Sequence, residues 1–121
     1  MRVMVIGAST NREKYGNKAV RAYLRQGHEV FPVNPRADEI EGVRCYHTIG
    51  EVPGPIDRAT IYLPPKLTLG VLDELAARGA DVAELWLNPG SESDEVIKRA
   101  KELGFDPITA CSIIAIGEQP G

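Results

Sequence analysis

The side chains spaced for chemistry in this sequence gather after its first apolar run, and their types point to phosphate. Behind Arg2 to Ile6 come Gly7, Ala8, Ser9 and Thr10, then Lys14, Tyr15, Gly16 and Asn17. A glycine turning out of a strand, two hydroxyls, a lysine and a helix start near Gly16 are the parts of an anion cradle. Backbone N–H groups and the helix dipole both favour negative charge there. Lys14 would neutralise a pyrophosphate oxygen, and Gly16 stands where a backbone approaches a ligand closely. The full G-x-G-x-x-G of a dinucleotide fold is absent, because Asn11 to Tyr15 lengthen the loop. The plain alternative is a strand-stopping glycine followed by a solvated lysine.

The end of the second apolar run decides among nucleotides. An NAD site places Asp or Glu there to accept hydrogen bonds from the ribose hydroxyls. This chain has Asn34, Pro35 and Arg36. A neutral amide followed by arginine favours a ribose bearing an extra phosphate, whose oxygens match the guanidinium fork. NADP, with a 2′-phosphate, and coenzyme A, with a 3′-phosphate, both meet that description. A turn that happens to contain arginine is the alternative.

Other chemistry is sparse. Cys111 follows the last apolar run on the side where a ligand would lie, so its thiol could exchange with a ligand thiol or accept an acyl group. A free cysteine also serves as a small buried hydrophobe. His28 and His47 read as structural, Cys45 and Trp86 as packing, and Glu92, Asp94 and Glu95 as first-turn helix charges. No nucleophile–base spacing or metal-ligand cluster emerges. No catalytic residue is assigned, and a non-catalytic binding protein is expected.

The elements that must position these residues alternate. Strand candidates are Arg2 to Ile6, His28 to Val33, Arg58 to Leu63, Glu84 to Leu87 and Phe105 to Ala110. Between them lie helical patterns: Ala19, Val20, Tyr23 and Leu24; Val71, Leu72, Leu75 and Ala76, with Thr68 as a possible cap; and Val96, Ile97, Ala100 and Leu103, capped by Ser91 or Ser93. Residues 36–53 read as a turn around Ile40 and Gly42, a short extended piece from Val43 to Tyr46, and a helical turn from Thr48 to Val52. Apolar rather than alternating strands imply a parallel sheet covered on both faces. The expected fold is a single Rossmann-like, doubly wound α/β domain over residues 1–121, with about five mostly parallel strands and helices on both faces. Its ligands sit beyond the carboxyl ends of the strands, where breakers and small polar residues gather: Asn34-Pro35-Arg36, Pro64-Pro65-Lys66, Asn88-Pro89-Gly90 and Cys111-Ser112. The first two strand ends are taken to flank the point where strand order reverses.

Composition excludes several classes. With 121 residues, 43% hydrophobic, 26% charged and a net charge of −3, the chain supports one core and no basic footprint for nucleic acid. No stretch is long and apolar enough to span a bilayer, and no leader precedes the first strand. Two cysteines without metal-like spacing fit a reducing cytoplasm. The apolar tail Ile113 to Ile116 is either a last core-packing segment or a subunit contact.

The runs VIGAST, KYGN, VFPVNPRADEIEGVRCYHTIGEVPGPID and IYLPP resemble the CoA-binding domain family, over about residues 3–111. These are relatives of the domain in succinyl-CoA synthetase α-subunits and NDP-forming acyl-CoA ligases. The most specific stretch is PVNP, then EI-x-G, Tyr46 and EVPGPID. The resemblance implies a Rossmann-like domain holding CoA or acyl-CoA through its ADP moiety. Gly7, Ala8, Ser9, Lys14, Gly16 and Asn17 would hold the pyrophosphate. Asn34, Pro35 and Arg36 would border the adenosine, and Pro64 and Pro65 would line the groove; Thr10, Tyr15, Lys66 and Cys111 complete the candidate set. Arg12-Glu13 precede Lys14 where the family often has Pro, and Asn88-Pro89-Gly90 replaces a Gln-x-Gly turn. The phosphorylated histidine of multidomain relatives belongs to a separate domain, and neither His28 nor His47 matches it. Rival readings are an NADP-dependent oxidoreductase and a regulatory or interaction subunit of an acyl-CoA ligase system, either of which could homo-oligomerise.

Overall fold

Five of the apolar runs become the strands of one parallel sheet in the computed structural model, which describes residues 1–121. In chain order the elements are β1 (Arg2–Ile6), α1 (Tyr15–Arg25), β2 (Glu29–Val33), β3 (Glu39–Ile40), β4 (Val43–Arg44), β5 (Ile56–Ile61), α2 (Pro65–Ala76), β6 (Val82–Leu87), α3 (Asp94–Glu102), β7 (Ile108–Thr109) and α4 (Ser112–Ala115). Single 3-10 turns occupy Ile49–Glu51 and Gly79–Asp81. The sheet order is β2-β1-β5-β6-β7, every neighbouring pair parallel, and β3 and β4 form a separate hairpin. Strand order therefore reverses between β1 and β5. The crevice lies over those two carboxyl ends, not between the first and second strands as the sequence suggests.

The sheet divides the core into two layers. Met4 and Ile6 of β1 pack with Ile61, Leu72, Leu87 and Val96 on the α2–α3 side. Val3 and Val5 pack with Ala19, Val20, Tyr23 and Ile113 on the α1–α4 side. Burial on both faces is why the strands read as continuous apolar runs. The α/β fold is Rossmann-like, as expected, with helices on both faces.

Several boundaries differ for physical reasons. The third long strand begins at Ile56 and ends at Ile61, two residues ahead of the expected Arg58 to Leu63. Its helix opens at Pro65 in the first helical position, where a missing N–H is no loss. Thr68 is consequently no cap; it is buried in the helix and its hydroxyl donates to the carbonyls of Leu63 (3.1 Å) and Pro64 (3.0 Å). Ser93 caps α3 by accepting from Val96 N at 3.1 Å, whereas Ser91 donates to the Ile61 carbonyl. The turn near Gly42 is the tip of the β3–β4 hairpin, with Glu41 at φ 51° and Gly42 at φ 80°. Two positive φ values suit a tight hairpin, although glutamate rarely adopts one. Within the apolar tail Ile113 is fully buried and Ile116 packs against the same core cluster, while Ile114 is 59% exposed. No helix is long and apolar enough to cross a membrane.

Candidate functional site

A groove of about 1030 Å³ opens over the carboxyl ends of β1, β2 and β5. That is the upper end of the roughly 300–1,000 Å³ typical of ligand pockets. Its base is Ile6, Gly7, Ala8 and Ser9; Glu13 and Lys14, with Tyr15 and Gly16 at the start of α1, form one wall. Pro64, Leu67, Gly70 and Val71 form the α2 wall, with Val33, Asn34, Pro35 and residues 47–49 on the third side.

Two glycines bring α1 onto the end of β1. Gly7 sits at φ 86°, and a Cβ there would meet the Tyr62 backbone at 3.0 Å. A Cβ on Gly16 would collide with the Gly7 carbonyl oxygen. The neighbour that requires a glycine at position 16 is thus the protein's own loop, and Gly16 also lines the groove. The close fit aims the start of α1 at the groove. No side chain caps that helix, its first turn carries no acidic residue, and the Tyr15 and Gly16 amides donate to no protein acceptor. An uncapped N-terminus of this kind presents partial positive charge to whatever fills the groove.

Two asparagines set the loop. Asn34 Nδ2 donates to the Ala8 carbonyl at 2.8 Å, and its Oδ1 accepts from Arg36 N at 2.8 Å. Asn17, fully buried, donates to the Ser9 carbonyl at 2.9 Å and to Glu41 Oε2 at 3.1 Å. Glu41 also pairs with Arg12 at 2.9 Å, so the β3–β4 hairpin holds the first loop from outside. Asn17 does not line the groove, and its amide supports the loop. The neutral amide at position 34 likewise works on the protein backbone.

The remaining predicted residues divide. Gly7, Ala8, Ser9, Lys14, Tyr15, Gly16, Asn34, Pro35 and Pro64 are brought together around the groove; Thr10, Asn17, Arg36, Pro65, Lys66 and Cys111 are outside its lining. Lys14, Arg36 and Lys66 form no ion pair. Tyr15, 58% exposed, has the Lys18 ammonium 4.9 Å from its ring centroid. Cys111 lies at the start of α4, against the α1–α4 layer.

Sequence reasoning missed the far arm of the groove: His47, Thr48, Ile49, Tyr62, Leu63, Leu67, Gly70, Val71 and Glu74. Positions 67, 70, 71 and 74 form a helical i, i+3, i+4, i+7 stripe, a periodicity that would have marked one face of α2. His47 Nε2 bonds Asp38 Oδ1 at 2.8 Å. Tyr62 lies beneath the groove, and its hydroxyl shares a 3.1 Å hydrogen bond with Ser112 Oγ. Burial pushes the Tyr62 phenol up to about 12, against smaller opposing effects of the Ser112 and Thr60 hydroxyls. A polar seam continues from there. Ser112 Oγ and Thr60 Oγ1 share a bond of 2.8 Å, Asn88 Nδ2 donates to Thr60 Oγ1 at 2.6 Å, and Ser112 N donates to Asn88 Oδ1 at 2.8 Å. Asn88 is spent inward, not toward the groove.

Comparisons agree on this architecture. Residues 1–117 match the family described as CoA binding domain. The α subunit of ADP-forming acetate–CoA ligase II from Pyrococcus furiosus is 35% identical over 103 residues, covering 84% of this chain and 22% of that subunit. The uncharacterized protein YneT of Bacillus subtilis is 30% identical over 103 residues, covering 85% of this chain and 75% of YneT. The chain therefore spans less than a quarter of the ligase subunit but most of the smaller relative. A solved conserved hypothetical protein from Pyrococcus furiosus superimposes with a TM-score of 0.86 at 36% identity, covering 94% of this chain and 97% of that one.

Proposed function

The chain belongs to the CoA binding domain family, and from that premise we propose that it binds coenzyme A or an acyl-CoA in the β1–β5 crevice without a chemical step of its own. The observation that carries this reading is the groove's contact with the uncapped N-terminus of α1, with Lys14 beside it. Free amides and an ammonium together favour a pyrophosphate. The Ser9 hydroxyl accepts from Asn11 N at 3.0 Å within the loop, which leaves its O–H proton to donate to a phosphate oxygen. Asn34 and Pro35 border the adenosine. Arg36, exposed and without an ion-pair partner, is the cation for the 3′-phosphate.

Two relationships extend the proposal. The match to a ligase subunit, confined to 22% of its length, supports a role in handing CoA to a partner acyl-CoA enzyme. The free thiols Cys45 and Cys111 suit a reducing cytoplasm. Oligomeric mass measured with and without CoA tests whether the ligand governs association.

Calorimetric titration with CoA, dephospho-CoA, NADP and NAD tests the function. CoA binds saturably and more tightly than dephospho-CoA, and NADP and NAD bind weakly. Arg36→Ala weakens CoA roughly tenfold, the scale of one charge-assisted hydrogen bond, and changes dephospho-CoA little. Equal losses for both ligands remove Arg36 from the 3′-phosphate. Preference for NADP would redirect the assignment to a reductase.

A further inference from the structure

A second concavity, of about 410 Å³, opens beside α1 and apart from the crevice. Arg12, Arg21, Leu24, Arg25 and Glu41 line it, and none of them borders the strand-end groove. Three guanidiniums thus share one hollow with a single carboxylate. Arg21 and Arg25 stand one turn apart on α1, a like-charge spacing that destabilises a helix. The same helix carries Lys18 as well, and no acidic residue offsets the three.

The arginines are unequally satisfied. Arg12 pairs with Glu41 at 2.9 Å and Arg25 with Glu118 at 2.7 Å, whereas Arg21 takes part in no ion pair. Arg21 Nε donates instead to Asn17 Oδ1 at 2.7 Å, and its Nη2 to the Arg12 carbonyl at 2.8 Å. Those two bonds hold the half-buried side chain in place and leave its charge unneutralised. Its Nη1 donates to no protein atom, and neither does Nη1 of Arg25. A guanidinium fork fixed before binding loses little freedom when an anion arrives. Leu24, half-buried against the α1–α4 layer, gives the hollow an apolar surface beside these donors.

We propose that this hollow docks an acidic segment of a partner protein, with carboxylates on Arg21 and Arg25 and an apolar side chain on Leu24. The carboxylate matches the guanidinium fork in shape and charge, and arginine is among the residues favoured in protein interfaces. A free phosphate would bring its double charge up to Glu41 and leave Leu24 unused. Nucleic acid fits poorly, because no aromatic side chain lines the hollow to stack on a base and the chain as a whole is acidic. The inference uses no residue that lines the crevice, so it stands apart from the CoA reading.

Fluorescence anisotropy of a short rhodamine-labelled peptide of alternating glutamate and leucine tests this. Wild type binds the peptide saturably. The affinity falls as ionic strength rises from about 0.01 M to about 1 M, over which the Debye length shrinks from roughly 30 Å to roughly 3 Å. Arg21→Gln and Arg25→Gln each weaken the peptide by about threefold to tenfold, the scale of one partly exposed charge-assisted contact. Lys98→Gln and Lys101→Gln remove the same charge from α3 and bind the peptide as wild type does. Arg21 also braces the first loop, so its variant is read beside Arg25→Gln, whose exposed side chain lies outside the loop and whose CoA affinity stays at the wild-type value. No peptide binding by wild type, or equal losses in the α3 variants, overturns the docking site. Displacement of the peptide by equimolar inorganic pyrophosphate would make the hollow a free-anion site and overturns it too. Self-association abolished by Arg25→Gln would name a second copy as the occupant, against the partner proposed. Protein that binds the peptide but no CoA overturns the proposed function and leaves this inference standing.

Discussion

Tyr62 carries out two tasks: it lines the groove, and its hydroxyl reaches Ser112. Its ionisation is held off until about pH 12, chiefly by burial. The unfolded phenol titrates near pH 10, so the folded protein binds the proton more tightly than the unfolded chain does. The corresponding stability is fully present below about pH 10 and is lost as pH rises toward 12. Tyr62→Phe should remove a phenolate absorbance change centred near pH 12 and flatten that part of the alkaline decline in melting temperature. An unchanged alkaline slope would show that another group is responsible. Asn34 and Asn17 teach a related lesson: both were legible as special residues beside the loop, but their amides are consumed by loop carbonyls. The type of a residue marks its importance, whereas its partner determines whether it meets the ligand.

Among the elements, β5, β6 and α4 meet at a seam made of Thr60, Asn88 and Ser112, all buried. Asn88 makes three of its bonds, including one from Nδ2 to the Ile61 carbonyl at 2.9 Å. Asn88→Ala leaves Ser112 N without a partner and removes the Nδ2 donor to Thr60 Oγ1 in a buried region. The expected loss is about 2 kcal/mol or more in denaturant unfolding, with CoA affinity changed little. A negligible loss would mean that water enters the seam. The long strands and helices were legible because apolar runs end at Gly, Pro and Asn, and helical spacing survives in α1, α2 and α3. Residues 36–53 were not fully legible. Glu41 adopts a positive φ without being glycine, and the hairpin takes its place from Arg12 and Asn17, distant in sequence. Strand β7 shrank to two residues because only Ile108 and Thr109 pair with β6. The α1 end of the groove announced itself through Gly7, Lys14 and Gly16. The α2 end did not, because its stripe mixes Leu67, Gly70, Val71 and Glu74, an apolar pair diluted by a glycine and a charge.

At the scale of the molecule the net charge is −3, yet Lys14, Arg36 and Lys66, all near strand ends, stand outside every ion pair. Binding of a polyanion should therefore weaken as salt is raised. Ligand that binds only the folded state at about 100 times its Kd adds roughly 2.7 kcal/mol of stability. For a domain of this size CoA should then raise the melting temperature by roughly 10 °C, with NAD producing far less. No shift at saturating CoA would contradict binding to the folded state. The polar seam has a last consequence, for the order in which the chain can finish folding. Thr60 and Tyr62 wait on a hydroxyl 52 and 50 residues further along, Tyr23 on a carbonyl 89 residues away, and Arg25 on a carboxylate 93 residues away. On a ribosome the α2–α3 layer can assemble while the other layer still lacks its partners. The sheet is closed on its second face only once residues 112–118 have left the exit tunnel.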